Sequence, residues 1–72
     1  MTRNEFLIEM QDILQTEERL AEDTVLTDLV EWDSLAVMAT MAFLQKNFGL
    51  EVGIKDFIAI NTVADLMAKV GV

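Results

Sequence analysis

Glu31-Trp32-Asp33-Ser34-Leu35 closes an acidic, irregular segment and opens the most apolar helical run of the chain. An Asp directly before the first apolar-periodic residue is a helix N-cap signal, because its carboxylate can accept hydrogen bonds from first-turn N–H groups that lack helical partners. The reading predicts a helix beginning at Ser34, with the serine hydroxyl near the surface. Unpaired N–H groups and the positive end of the helix dipole also favour negative charge there, so a phosphodiester on this serine would be well tolerated.

Working outward, this helix is expected from Ser34 to about Phe48. Val37, Met41, Leu44 and Phe48 follow an i, i+4, i+7, i+11 pattern that predicts a stripe facing the core. Leu35, Met38, Ala39, Ala42 and Lys46 occupy the opposite face, and no acid occurs between Leu35 and Leu50. Asn47-Phe48-Gly49-Leu50 is a good helix end, since Gly can adopt the left-handed conformation at C′. Upstream, Thr2 and Glu5 read as a capping box before Phe6, Leu7, Met10, Ile13 and Leu14, which predicts a first helix. Between them, Thr16 to Asp33 holds no clean period, yet Leu20, Val25, Leu26 and Leu29 predict a long loop pinned on the core. Downstream, a short helix is expected around Lys55 to Ala59, anchored by Phe57 and Ile58. Thr62 and Asp65 then open a final helix whose stripe is Val63, Leu66, Met67 and Val70, ending at Gly71.

Composition narrows what such a chain can do. At 72 residues without Cys or Pro, it reads as one domain over residues 1–72, all-α, held by packing alone. The absence of His, Cys and Tyr removes the usual catalytic bases and the thiol and phenol nucleophiles, and Ser34 has no triad partner in reach of the sequence. An enzyme is not expected. Net charge is −8, and all of it lies in residues 1–33, where ten acids face only Arg3 and Arg19. Such a field opposes nucleic acid and anionic membranes and speeds encounter with basic proteins. Glu17, Glu18, Glu22 and Asp23 lack the alternating spacing and Gly of a calcium loop, so they read as a solvated cluster and no metal is expected. The longest apolar run, Leu35 to Ala39, is far short of a membrane span, and no leader is evident at Met1-Thr2-Arg3; the chain reads as cytoplasmic.

Asp33-Ser34-Leu35 resembles the Asp-Ser-Leu at the head of the second helix of acyl carrier proteins. Leu26-Thr27-Asp28-Leu29 and Ile60-Asn61-Thr62-Val63-Ala64-Asp65-Leu66 are similar to flanking segments of that family, so the resemblance spans nearly the whole chain. It implies a four-helix bundle with three longer helices, a short third helix and a long first loop. It further implies that Ser34 carries 4'-phosphopantetheine, donated by coenzyme A through a phosphopantetheinyl transferase. The partners implied are that transferase and acyl-loading and acyl-processing enzymes, met by a freestanding monomer. Asp33, Leu35, Met38, Ala39, Ala42 and Lys46 would form the recognition face. Two features depart from the family. Fatty-acid-synthesis carriers usually bear several acids on this helix face, whereas here it is apolar. Carriers also often have Gly where Trp32 stands, and Trp32 reads here as a ring that folds over the bundle and pins the loop. The expectation is therefore an acyl carrier of a dedicated fatty-acid, polyketide or related pathway. An aminoacyl or peptidyl carrier and an unmodified carrier-like interaction module are the alternatives.

Overall fold

Side-chain caps decide where the helices begin. The computed structural model describes residues 1–72 and contains α1 (Arg3–Leu14), α2 (Ser34–Phe48), α3 (Ile54–Ile58) and α4 (Val63–Val70), with no strands. Thr2 caps α1 reciprocally with Glu5: Glu5 N–H donates to Thr2 Oγ1 at 3.1 Å and Thr2 N–H to Glu5 Oε1 at 2.9 Å. Thr62 and Asp65 do the same for α4, where the Asp65 carboxylate accepts from both Asn61 and Thr62 N–H at 2.9 and 3.0 Å. The third helix starts one residue earlier than the sequence suggested. Gly53 is its N-cap, and the Asp56 carboxylate accepts from Gly53 N–H at 2.7 Å.

Fourteen side chains from all four helices, the first loop and, at Ile60, the α3–α4 connection form one hydrophobic cluster. Phe6, Met10 and Leu14 bring in one face of α1, and Val63, Leu66 and Met67 one face of α4, as their spacing predicted. In α2 the core-facing stripe is different from the expected one. Ala36, Thr40, Phe43 and Leu44 are buried, while Val37, Met41 and Phe48 are only half-buried at its margin. Small Ala36 and Thr40 let the helix approach closely. The Thr40 hydroxyl donates to the Ala36 carbonyl at 2.8 Å, which removes the usual penalty for burying a polar group. Phe6 meets Phe43 edge-on at 5.7 Å and Phe48 at 6.2 Å, joining α1 to both turns of the end of α2.

The long segment from Gln15 to Asp33 is an ordered loop with Leu20, Leu26 and Leu29 buried, interrupted by a short 3₁₀ turn at Leu26–Asp28. Gln11 ties its start to α1: its amide donates to the Thr16 carbonyl and its carbonyl accepts from Leu20 N–H. The middle is bonded to the start of α4. Leu26 N–H donates to Asn61 O at 2.7 Å, Val63 N–H to Thr24 O at 3.1 Å and Ala64 N–H to Glu22 O at 2.8 Å. Val25 and Thr62 thus form an isolated antiparallel bridge, and Val25, expected among the pinned residues, stays exposed.

These caps make stability sensitive to acid. Backbone N–H groups, chiefly that of Thr62 and then that of Asn61, hold the Asp65 carboxyl below its ordinary range. Asp56 is held low by Gly53 N–H with help from Lys69, and Glu5 by Thr2. Each folded-state pKa is depressed, so the contribution is present above the ordinary carboxyl value and is lost as pH falls through the lower folded value. The expected result is that Asp65→Asn is less stable than the parent at neutral pH and that the gap closes below about pH 4. Urea midpoints across that range measure it, and a constant gap would show that the charge of Asp65 plays no part.

Candidate functional site

Asp33 has extended backbone and caps α2, its Oδ1 accepting from Ala36 N–H at 2.9 Å, while its carbonyl accepts from Val37 N–H. The carboxylate is therefore occupied in holding the helix end. Ser34 follows as the first helical residue, exposed, with its hydroxyl in no hydrogen bond and its N–H and that of Leu35 without protein partners. It is the only serine in the chain. The arrangement offers a free hydroxyl beside two unpaired amide donors, which fits an anionic phosphodiester linked through the serine oxygen.

Asp33→Ala should cost about 1 kcal/mol, because the Ala36 donor loses its acceptor. In a chain of this size that corresponds to a fall in Tm of roughly 4–8 °C, with the helical spectrum retained. Thermal melting checks it, and an unchanged Tm would mean that the cap is dispensable.

Beside Ser34 runs a groove of about 410 Å³ between α2 and α3. Trp32, Val37, Met38, Ile54, Phe57 and Ile58 line it together with Asp33 and Ser34. Phe57 is the buried member, and Trp32 lies against it, ring centroids 6.1 Å apart and planes tilted by 40°. Ile58, expected as an anchor of α3, is instead 78 % exposed; Ile54 at 69 % and Met38 at 61 % complete an apolar rim open to solvent. A five-residue helix can turn only about one side chain per turn inward, and Phe57 takes that place. The Asp56–Lys69 ion pair, at 3.5 Å, links α3 to α4 at the surface.

The face of α2 singled out from sequence is on the surface throughout: Leu35, Met38, Ala39, Ala42 and Lys46 are all exposed, Leu35 at 76 %. Ser34, Asp33 and Met38 meet at the groove, whereas Leu35 and Ala39 border a smaller cleft toward α1, and Lys46 lies in the last turn of α2. Ile54 and Val37 were not singled out as site residues. Both could have been found by asking what lies one turn from Ser34 and Phe57. A larger cleft, about 650 Å³, lies between α1 and the first loop around Leu7, Gln11, Arg19 and Leu20, and contains none of these residues. No three His, Cys, Asp or Glu side chains converge as a metal site would require.

The sequence profile of the family described as "Phosphopantetheine attachment site" matches residues 5–70. A solved structure described as an acyl carrier protein from Mycobacterium tuberculosis superposes with a TM-score of 0.78 at 26 % identity, covering 94 % of this chain and 92 % of that one. No curated protein sequence matches significantly.

Proposed function

Because the chain belongs to the phosphopantetheine attachment family, being matched over residues 5–70, and is a non-catalytic carrier, we propose that Ser34 holds the arm and that the cargo is an acyl group. The observation that carries this reading is the exposed, unbonded hydroxyl of the chain's only serine at the head of α2, opening onto an apolar groove. The group is 4'-phosphopantetheine, and its terminal thiol supplies the thioester chemistry that a chain without Cys lacks. Attachment forms one bond from Ser34 Oγ to phosphorus and breaks the pyrophosphate bond of coenzyme A. It releases the serine proton and adenosine 3',5'-bisphosphate, with the catalytic groups provided by the transferase.

The remaining assignments follow from surface chemistry. Leu35, Met38, Ala39 and Ala42 present an apolar docking face to the transferase and to acyl-loading and acyl-processing enzymes, with Asp33 and Lys46 at its ends. The net −8 of residues 1–33 speeds encounter, and the apolar face holds the complex. Residues 1–72 act as one carrier unit, monomeric and cytoplasmic, in a dedicated fatty-acid, polyketide or related pathway. No helix is long and apolar enough to cross a membrane.

An acyl rather than an aminoacyl cargo is favoured by the groove, where the one acid, Asp33, is engaged in capping and no other charge is available to pair with an ammonium group. The intact mass of the chain isolated from its own cells tests this. The mass should exceed that of the bare chain by the arm and a nitrogen-free acyl group. An added amino acid would establish the aminoacyl carrier, and a bare chain the unmodified interaction module.

A further inference from the structure

The cleft of about 650 Å³ between α1 and the first loop shares no lining residue with the groove at Ser34 or with the cleft at Leu35. Its lining is part apolar and part acidic. Leu7, Ile8, Leu20 and Ala21 are the hydrophobic members; Glu17, Glu22 and Asp23 are the acids, with Arg19 the one cation. Leu20 is buried in the core, but Ile8 is 60 % exposed. It stands two residues from Phe6 and from Met10, which puts it off the face of α1 that packs inward, so the core does not use most of its surface. The walls of the cleft are tied together. Gln11 bonds to the loop at Thr16 and at Leu20, Arg3 pairs with Glu22, and Ala64 N–H donates to the Glu22 carbonyl, which fastens that wall to α4. A loop fixed before a partner arrives loses little freedom on binding.

We propose that this cleft is a second docking site, for a segment of a partner protein that carries a bulky apolar side chain with Lys or Arg beside it. Charge and lining select that occupant. Residues 1–33 hold the whole net charge of −8, and the cleft is built entirely from residues 4–23. Glu17 and Asp23 have no ion-pair partner, so both are free to meet cations. A purely apolar guest fits less well. Only four of the ten lining residues are hydrophobic, against six of eight at the Ser34 groove, and such a guest would strip water from unpaired carboxylates. A second copy of the chain would bring its own −8 to the same place, and an anionic membrane is repelled in the same way. An apolar anchor instead fills the space beside Leu7, Ile8 and Leu20 while its basic neighbours pair with Glu17 and Asp23. Because Ser34 takes no part, a partner held here leaves the attachment point open.

The test selects short random peptides, displayed on phage, against the intact chain and measures the enriched ones by titration in solution. They should share a bulky apolar residue beside Lys or Arg. Ile8→Gln, which keeps a good helix former at an exposed position, should weaken them about tenfold, because more than half of this side chain stays in water until the complex forms. Ile8→Leu should bind much as the parent does. Glu17→Gln combined with Asp23→Asn should weaken binding and flatten its dependence on salt. Melting curves establish that each variant is folded. No enrichment, enriched peptides without basic residues, or basic peptides that bind a folded Ile8→Gln chain as tightly as the parent would each overturn the proposal. So would a chain that sediments as a dimer and becomes a monomer with Ile8→Gln, since the occupant would then be a second copy. Ser34→Ala should bind the peptides as the parent does, so the two readings fail separately: absence of peptide binding overturns the cleft alone, and a bare chain after transferase treatment overturns the attachment assignment alone.

Discussion

Ser34→Ala is expected to abolish loading with phosphopantetheine completely and to leave the fold unchanged. The hydroxyl makes no hydrogen bond, is exposed, and sits at the first position of α2, where Ala is a good helix former. Surface substitutions away from caps and cores shift stability by no more than about 0.5 kcal/mol. The cap itself, Asp33 with Ala36 N–H, is untouched. Because the chain has no other serine, a null result cannot be masked by transfer to a neighbouring one. Mass spectrometry after incubation with coenzyme A and transferase should show only the bare chain, with melting identical to the parent. A modified Ser34→Ala protein would mean that a threonine or another group is the acceptor, and the site would have to be moved.

Phe6→Ala should have the largest effect on stability. Phe6 is fully buried and its ring touches Phe43 and Phe48, so it ties the start of α1 to the second half of α2. Removing it loses the transfer energy of the ring, leaves a cavity and breaks two aromatic contacts, at a cost of roughly 3–5 kcal/mol. A chain of this length has a total stability of roughly 4–11 kcal/mol. The variant should therefore melt at least about 12 °C lower, and in the less stable part of that range it would be substantially unfolded at room temperature. The ratio of signals in urea measures this. A loss below about 1 kcal/mol would show that α1 is held by other contacts and that the aromatic cluster is not central.

Except at α3, helix boundaries were legible in the sequence because each depends on a local signal. Thr2 with Glu5, Asp33 alone, Thr62 with Asp65, and Gly49 and Gly71 in left-handed conformations all lie where their type predicts. Which side of α2 faces the core was not. Val37, Met41 and Phe48 are apolar on the surface margin as well as in the stripe, because this carrier has an apolar outer face, so hydrophobicity could not tell inside from outside. Thr40 is polar and lies outside the expected stripe, and its bond to the Ala36 carbonyl is visible only once the helix is built. The pairing of residues 22–26 with residues 61–64 was also hidden, since backbone hydrogen bonds leave no mark on side-chain pattern. At the candidate site, the exposure of Ser34 and of the Leu35–Lys46 face was readable from their spacing after Asp33. The groove was not, because it requires α3, which is distant in sequence, to lie beside the start of α2, and Ile58 read more naturally as an anchor than as a rim.

The most direct test of the whole account is an intact mass of the purified chain after incubation with coenzyme A, Mg²⁺ and a broad-specificity phosphopantetheinyl transferase, followed by peptide mapping. A gain of one phosphopantetheine, mapped to the peptide that contains Ser34, is the predicted result. No gain while a control carrier is modified in the same tube, or a gain mapped to any other residue, would contradict it.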